Sequence, residues 1–314
     1  MVFKRMLGAF GVGAPSVDTV LSTPRVRPGG TLAGEVRLKG GEFDADIEHV
    51  TLGLVGRAEV EHDEGELTGT AELYRIQVSG SFKLAKGEER TLGFETPVPW
   101  ETPLSEVGGQ PLTGMALGVR TELAIAKAVD KGDLDPIAVE PLPSQQRVLE
   151  ALLALGFAFK SADLEIGRIH GVHQELAFYQ EIEFYGPPGQ VREAELTFVT
   201  DAHGLDVIIQ ADKQFGGDAV GRFRAGHDEA LRMDWVAELS GWLRGLARFG
   251  QPVHHDGHYH EGHHGGHHDS HGHHGGHGGG GMGGMVAAGA VGVAGGLVAG
   301  EVIEEIFEEE EEEG

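Results

Sequence analysis

The stretch TLAGEVRLKGG, Thr31 to Gly41, decides the fold. Leu32, Gly34, Val36 and Leu38 fall on one face of an extended chain, while Glu35, Arg37 and Lys39 fall on the other. Strict alternation of this kind marks a strand with one buried side. The same period continues on both sides of it. EHVTLGLVGRAEVE (48–61) places Val50, Leu52, Leu54, Ala58 and Val60 together, and YRIQVSGSFKL (74–84) does so with Ile76, Val78, Phe82 and Leu84. Leu92, Phe94 and Val98 follow the turn AKGEE, and GMALGVRTELAIAK (114–127) adds Met115, Leu117, Val119, Leu123 and Ile125. Pro28-Gly29-Gly30, Gly40-Gly41 and the proline-rich TPVPWETP separate the runs. Short strands at this spacing predict a β-sandwich over 1–128.

DKGDLDPIAVEPLPS (130–144) interrupts the alternation with prolines, and a linker is expected at 129–145. Ser144 then reads as the N-cap of a helix carrying Val148, Leu149, Leu152, Leu153 and Leu155 and ending at Gly156. Alternation resumes with Leu176, Phe178, Ile182 and Phe184, and AELTFVTDAHGLDVIIQAD (194–212) predicts a hairpin turning at DAHG. A second, smaller sandwich is expected over 146–232. In 233–250 the period changes: Trp235, Leu239, Trp242, Leu243, Leu246 and Phe249 line one side of an amphipathic helix. That stripe either packs on its own chain or, flanked by Arg244 and Arg248, meets the groove of a partner protein. The expected class is all-β, two tandem β-sandwiches with short helices and a disordered tail from 251 to 314.

Several of these stretches resemble the bacterial sporulation-control protein M family. They are FKRMLGAFGVGAPSVDTVL (3–21), RPGGTLAGEVRLKGG (27–41), PVPWETPLS (97–105), VRTELAIAKAVDKGDLDPIAVEP (119–141), LGFAFKSADLEIGRIHGVHQELAFYQEIEFY (155–185) and GRFRAGHDE (221–229). The resemblance runs over about residues 3 to 250. It implies two arrestin-like β-sandwich domains in tandem, a cytoplasmic location and a regulatory role without catalysis. It brings no active-site residues with it.

Composition narrows the chemistry. The chain has 314 residues and no cysteine, which removes disulfides and thiolate metal sites. Its net charge is −26, and all 24 Lys and Arg lie before residue 251. Such a chain repels nucleic acid and, through its acidic body, anionic membrane surfaces. The start, MVFKRMLGAFGVGAPS, reads as a short amphipathic helix and lacks a clear signal-peptide cleavage site. No run reaches the ~18 apolar residues of a membrane span. Nucleotide-binding glycine loops, the G-x-S-x-G elbow and H-E-x-x-H are missing from the sequence. Arg168, His170 and His173 read as a strand whose two imidazoles diverge, and Asp130, Asp133 and Asp135 as a solvated acidic linker.

Two tail features remain. Twelve of the eighteen histidines, His254, His255, His258, His260, His263, His264, His267, His268, His271, His273, His274 and His277, lie among glycines with no single ligand spacing. Imidazoles on such linkers are expected to gather Zn²⁺, Ni²⁺ or Cu²⁺ at adaptable sites, although the body requires no cofactor. Gly292, Gly296 and Gly300 recur every four residues, a spacing for close helix contact in a homo-oligomer if the segment becomes helical. The expected function is a non-enzymatic regulatory scaffold that binds protein partners, by strand addition or dimerisation through its first sandwich. The alternative is a metal-buffering or metal-delivery protein that works through the histidines.

Overall fold

In the computed structural model the described residues are 13–62, 65–213 and 218–249. The strands of the first half are β1 (Ser16–Leu21), β2 (Arg25–Val26), β3 (Thr31–Lys39), β4 (Ala45–His62), β5 (Gly65–Ser79), β6 (Phe82–Leu84), β7 (Glu89–Pro97), β8 (Glu106–Val107), β9 (Gln110–Pro111), β10 (Leu117–Ile125), β11 (Lys131–Pro136) and β12 (Ala138–Val139). The second half holds helix α1 (Pro143–Ala154), strands β13 (Ala158–Ile166), β14 (Phe178–Tyr185), β15 (Val191–Thr200), β16 (Gly204–Lys213) and β17 (Asp218–Gly226), and helices α2 (His227–Arg232) and α3 (Trp235–Phe249).

The alternation of TLAGEVRLKGG becomes β3, the middle of a three-stranded antiparallel sheet in the order β1-β3-β7. Leu32, Val36 and Leu38 are buried in one cluster with Val50 and Leu52 of β4 and Val119 and Leu123 of β10, so two layers share one core. Gly34 lies where a Cβ would come within 2.5 Å of the Val20 carbonyl, which is why the core face carries a glycine there. The facing layer continues into the second half in the order β11-β10-β4-β13-β14-β15-β16-β17, with β5 and β6 paired to β4. The join between the halves is narrow. Beyond its pairing with β10, β4 meets β13 in parallel through the single pair Glu59 and Glu165.

In the second half β13 to β17 form an antiparallel meander. The expected turn at DAHG is present, with the Asp201 carboxylate accepting from the His203 and Gly204 N–H groups at 2.6 and 2.9 Å. Among the described residues the core face of this sheet is covered by helices. Val148 and Leu152 of α1 and Trp235, Leu239 and Leu243 of α3 are buried in one cluster with Leu196, Val207 and Ile209.

Three local readings need correction. Residues 131–136, expected in a linker, form β11, paired with β10 from Leu123↔Lys131 to Gly118↔Pro136. The acids that suggested a solvated segment act there as acceptors, Asp133 for the Thr19 N–H at 2.7 Å and Asp130 for the Ile125 N–H at 2.9 Å. Helix α1 begins with Pro143 in its first turn and Leu142 as its N-cap, so Ser144 lies inside it. Its end is as expected, with Gly156 at φ +90°, whereas Leu153, read among its apolar residues, is exposed. The His170 and His173 stretch lies in the loop after β13. Arg168 donates to the Gln174 carbonyl and Arg222 to the His170 carbonyl, which fastens the loop to the sheet.

Candidate functional site at the junction and the open strand edges

The segment PVPWETPLS, 97–105, carries the contacts that hold the halves together. Its Trp100 ring fills the space where a Cβ on Gly29 would sit, at 2.5 Å, and Gly29 is at φ +70°. On the other side the ring stacks on His227, with centroids 5.8 Å apart and planes inclined by 26°. The Thr200 hydroxyl donates to the Trp100 carbonyl. His227 Nε2 lies 2.9 Å from the Asp201 carbonyl oxygen, which only accepts, so Nε2 carries the hydrogen. In the neutral ring Nδ1 then accepts from the Ser144 hydroxyl at 2.9 Å.

Two side chains act as substitutes for backbone. Gln180 of β14 accepts from the Leu104 N–H at 2.8 Å and donates to the Leu104 carbonyl at 2.7 Å, as a neighbouring strand would. Glu101 accepts from the N–H groups of Glu175 and Leu176, each at 2.7 Å. Burial pushes its carboxyl above the ordinary range, and these hydrogen bonds oppose the shift. Gln174 fastens the loop 167–177 from inside. Its Oε1 accepts from Ile169 N–H at 2.9 Å, and its Nε2 faces the carbonyls of Gly167, Leu176 and Phe178. Between these groups lies a cavity of about 10 Å³, room for one water, lined in part by Thr102, Gln145, Gln180 and Thr200. The Thr102 hydroxyl, on a residue 3% exposed, has no hydrogen-bond partner there. The junction is therefore a polar clasp.

Among the described residues, two outer strands have an edge that no other strand pairs. β7 pairs with β3 over nine consecutive residues, from Thr31↔Pro97 to Lys39↔Glu89, with no bulge. Val98 N–H donates to the Gly30 carbonyl, and Pro97 has no N–H to give. The alternation of an antiparallel ladder then turns the peptide groups of Glu95, Gly93 and Thr91 away from β3. Among the described residues these groups meet no other strand, and their side chains are exposed. β17 is similar, with nine pairs to β16 and the N–H groups of Val220, Arg222 and Arg224 facing outward. β5 is a poorer template, because its ladder to β4 carries register shifts at two places.

The residues singled out from sequence lie elsewhere or inside. Trp235, Leu239 and Leu243 are buried, with the Trp235 indole donating to the Ala230 carbonyl at 2.9 Å. Trp242 and Leu246 are half-buried, and Trp242 covers Gly221 of β17, where a Cβ would meet the indole at 2.7 Å. The Phe249 side chain, the twelve histidines of 254–277, and Gly292, Gly296 and Gly300 lie outside the described residues. Sequence reasoning missed Glu101, Gln174, Gln180 and His227. A signal for Gln180 existed: it shares the parity of Phe178, Ile182 and Phe184, a polar residue at a core position.

The family model for SpoOM protein matches residues 3–215. This chain belongs to the SpoOM family. It is 35% identical over 219 residues to the sporulation-control protein spo0M of Bacillus subtilis strain 168, covering 68% of this chain and 82% of that protein. The crystal structure of Spo0M from the same organism superposes with a TM-score of 0.67 at 30% identity, covering 75% of this chain and all of that one. The family match includes the PVPWETPLS clasp, β7 and Gln180, and stops before β17, α2, α3 and the histidines. Among the described residues no helix is long and apolar enough to cross a membrane.

Proposed function

We propose that this chain is a non-enzymatic regulatory scaffold of the cytoplasm, acting in sporulation or a related developmental or stress response. It works by offering the edge of β7 to an extended segment of a protein partner. The observation that carries this reading is the unbulged nine-residue ladder of β7 with outward peptide groups at Thr91, Gly93 and Glu95. Main-chain bonds to such an edge give affinity, and side chains at alternate positions give selectivity. Glu89 and Glu95 are exposed along it, so the fitting partner strand carries Lys or Arg at alternate positions. The clasp through Trp100, Glu101 and Leu104 supports this role by holding the first half against the second. An arrestin-like organisation into two domains accords with the long sheet narrowing to one residue pair at Glu59 and Glu165.

In this reading the histidine run is an accessory that gathers divalent transition metal without serving the interaction. The test is a pull-down from native extract with the full chain and with residues 1–250, each with and without EDTA. The expected result is one partner set common to all four conditions. Loss of that set on truncation or with EDTA would move the function to the tail.

A further inference from the structure

The outer face of β13, β14 and β15 gathers carboxyl groups that the clasp and the strand edges do not use. Asp163 of β13 stands directly across from Glu181 of β14, and Glu183 of β14 directly across from Glu195 of β15. Glu165 of β13 is the residue that meets β4 at the join of the two halves. Like charges at cross-strand positions, with Cβ atoms about 5 Å apart, oppose the pairing that places them there. Lys160 of β13 is engaged by Glu193 at 2.9 Å and by Glu183 at 3.3 Å, and the Ser161 hydroxyl also donates to Glu183. Glu181 is the buried member, 8% exposed, and its Oε1 has no hydrogen-bond partner. A buried carboxylate in that position must be neutralised or relieved. Protonation removes the charge of a carboxyl group so placed, and among the described residues no three acidic or histidine side chains converge closely enough to hold a metal ion.

We propose that the Asp163–Glu181–Glu195 cluster is a proton-operated catch at the join of the long sheet. With Glu181 protonated, β13 and β14 are closed against each other and against the end of β4. When the proton leaves, four carboxylates face Glu181: Asp163 and Glu165 from β13, Glu195 from β15 and Glu183 from its own strand. The β13–β14 pairing then loosens first. Burial, followed by Glu195, Asp163, Glu165 and Glu183, pushes the Glu181 carboxyl up to about 9. Because the folded value lies above the ordinary 4.5, the stability this group contributes is full below 4.5 and is lost as pH rises toward 9. In that window one such group increases the opening equilibrium by up to about tenfold per pH unit.

The test is hydrogen exchange on the full chain at pH 7, 8 and 9 in EDTA, corrected for intrinsic rates, for the natural sequence and Glu181→Gln. The expected result is that exchange in 158–166 and 178–185 accelerates with pH, approaching about tenfold per unit, while Glu181→Gln, neutral and of the same shape, stays flat. Equal pH dependence in the two proteins, or none in either, overturns the proposal. A second measurement needs no variant. With glutamate ¹³C-labelled at the carboxyl, one resonance of the natural chain titrates above pH 7, whereas titration of every glutamate below pH 6 overturns it.

Discussion

Replacing Gln180 by leucine tests the clasp in its most economical form. The side chain is 8% exposed and its partner Leu104 is 1% exposed, so water has little access to the groups left behind. Gln180→Leu strands the Leu104 N–H and carbonyl, now bonded at 2.8 and 2.7 Å. Each unpaired buried group costs about 1–3 kcal/mol, and the added apolar burial of leucine offsets about 1 kcal/mol. A net loss of about 1–5 kcal/mol is expected. With a urea slope of about 2–3 kcal/mol per molar, the unfolding midpoint falls by roughly 1 M. The assay is urea unfolding followed by tryptophan fluorescence, with the exposed Gln77→Leu as a control expected within about 0.5 kcal/mol of the parent. Gln180→Glu sharpens the test. As a neutral acid it can both accept from and donate to Leu104, and as a carboxylate it places an oxygen against the Leu104 carbonyl. Its folded pKa is therefore raised, and its stability relative to the parent is best below about 4.3 and declines as pH rises. A loss under about 0.5 kcal/mol in Gln180→Leu, or a pH-independent Gln180→Glu, would refute the reasoning.

Three further outcomes are expected. Gly221→Ala drives a Cβ to 2.7 Å from the Trp242 indole and 3.1 Å from Ile209, so it should cost about 1–3 kcal/mol and shift tryptophan emission as the ring is displaced. If emission and melting temperature stay unchanged, α3 is not seated on β17. Trp235→Ala removes a fully buried ring in edge contact with Phe223 at 6.1 Å and should cost about 3–5 kcal/mol in thermal or urea unfolding. A variant that kept parental stability would return this helix to the partner-binding reading. Truncation to residues 1–250 should abolish high-capacity Zn²⁺ and Ni²⁺ binding in calorimetry and leave the melting temperature of the body unchanged, and metal uptake by the truncated chain would place ligands in the body.

The fold was legible wherever one side of a strand faces water. Leu32, Val36 and Leu38, or Leu196 and Ile209, alternate with exposed neighbours and announce themselves. β11 was hidden for the opposite reason: DKGDLDP has few apolar residues, and it is a strand because β10 offers a ladder and because its aspartates accept backbone N–H groups. β4 between Val50 and Gly56 is covered on both faces, so Val55, off the alternating parity, is buried as fully as Leu52. The junction was less legible still. Trp100, Glu101 and Gln180 stand 74 or more positions from the groups they hydrogen-bond or stack on, and no local period records such pairings. Proline at 97 and 99 suggested a turn, which is the conformation but not the purpose. The Trp235 stripe was read correctly as a helix, and periodicity alone could not say which surface it covers. Glu181 follows the same limit: a glutamate on the polar parity of EIEFY looks solvated until Asp163 and Glu195 are placed beside it.

The central claim is that the β7 edge receives a partner strand, and one comparison tests it directly. Thr91→Pro removes an outward N–H from β7 and spares the ladder to β3, while Val220→Pro does the same to β17. Both full-length variants, matched to the parent by melting temperature, are used to capture partners from native extract, and the bound proteins are quantified by mass spectrometry. The account predicts that Thr91→Pro loses the partner set at least about tenfold, the equivalent of one or two main-chain bonds, while Val220→Pro retains it. Retention by Thr91→Pro with loss by Val220→Pro, or retention by both, would contradict it.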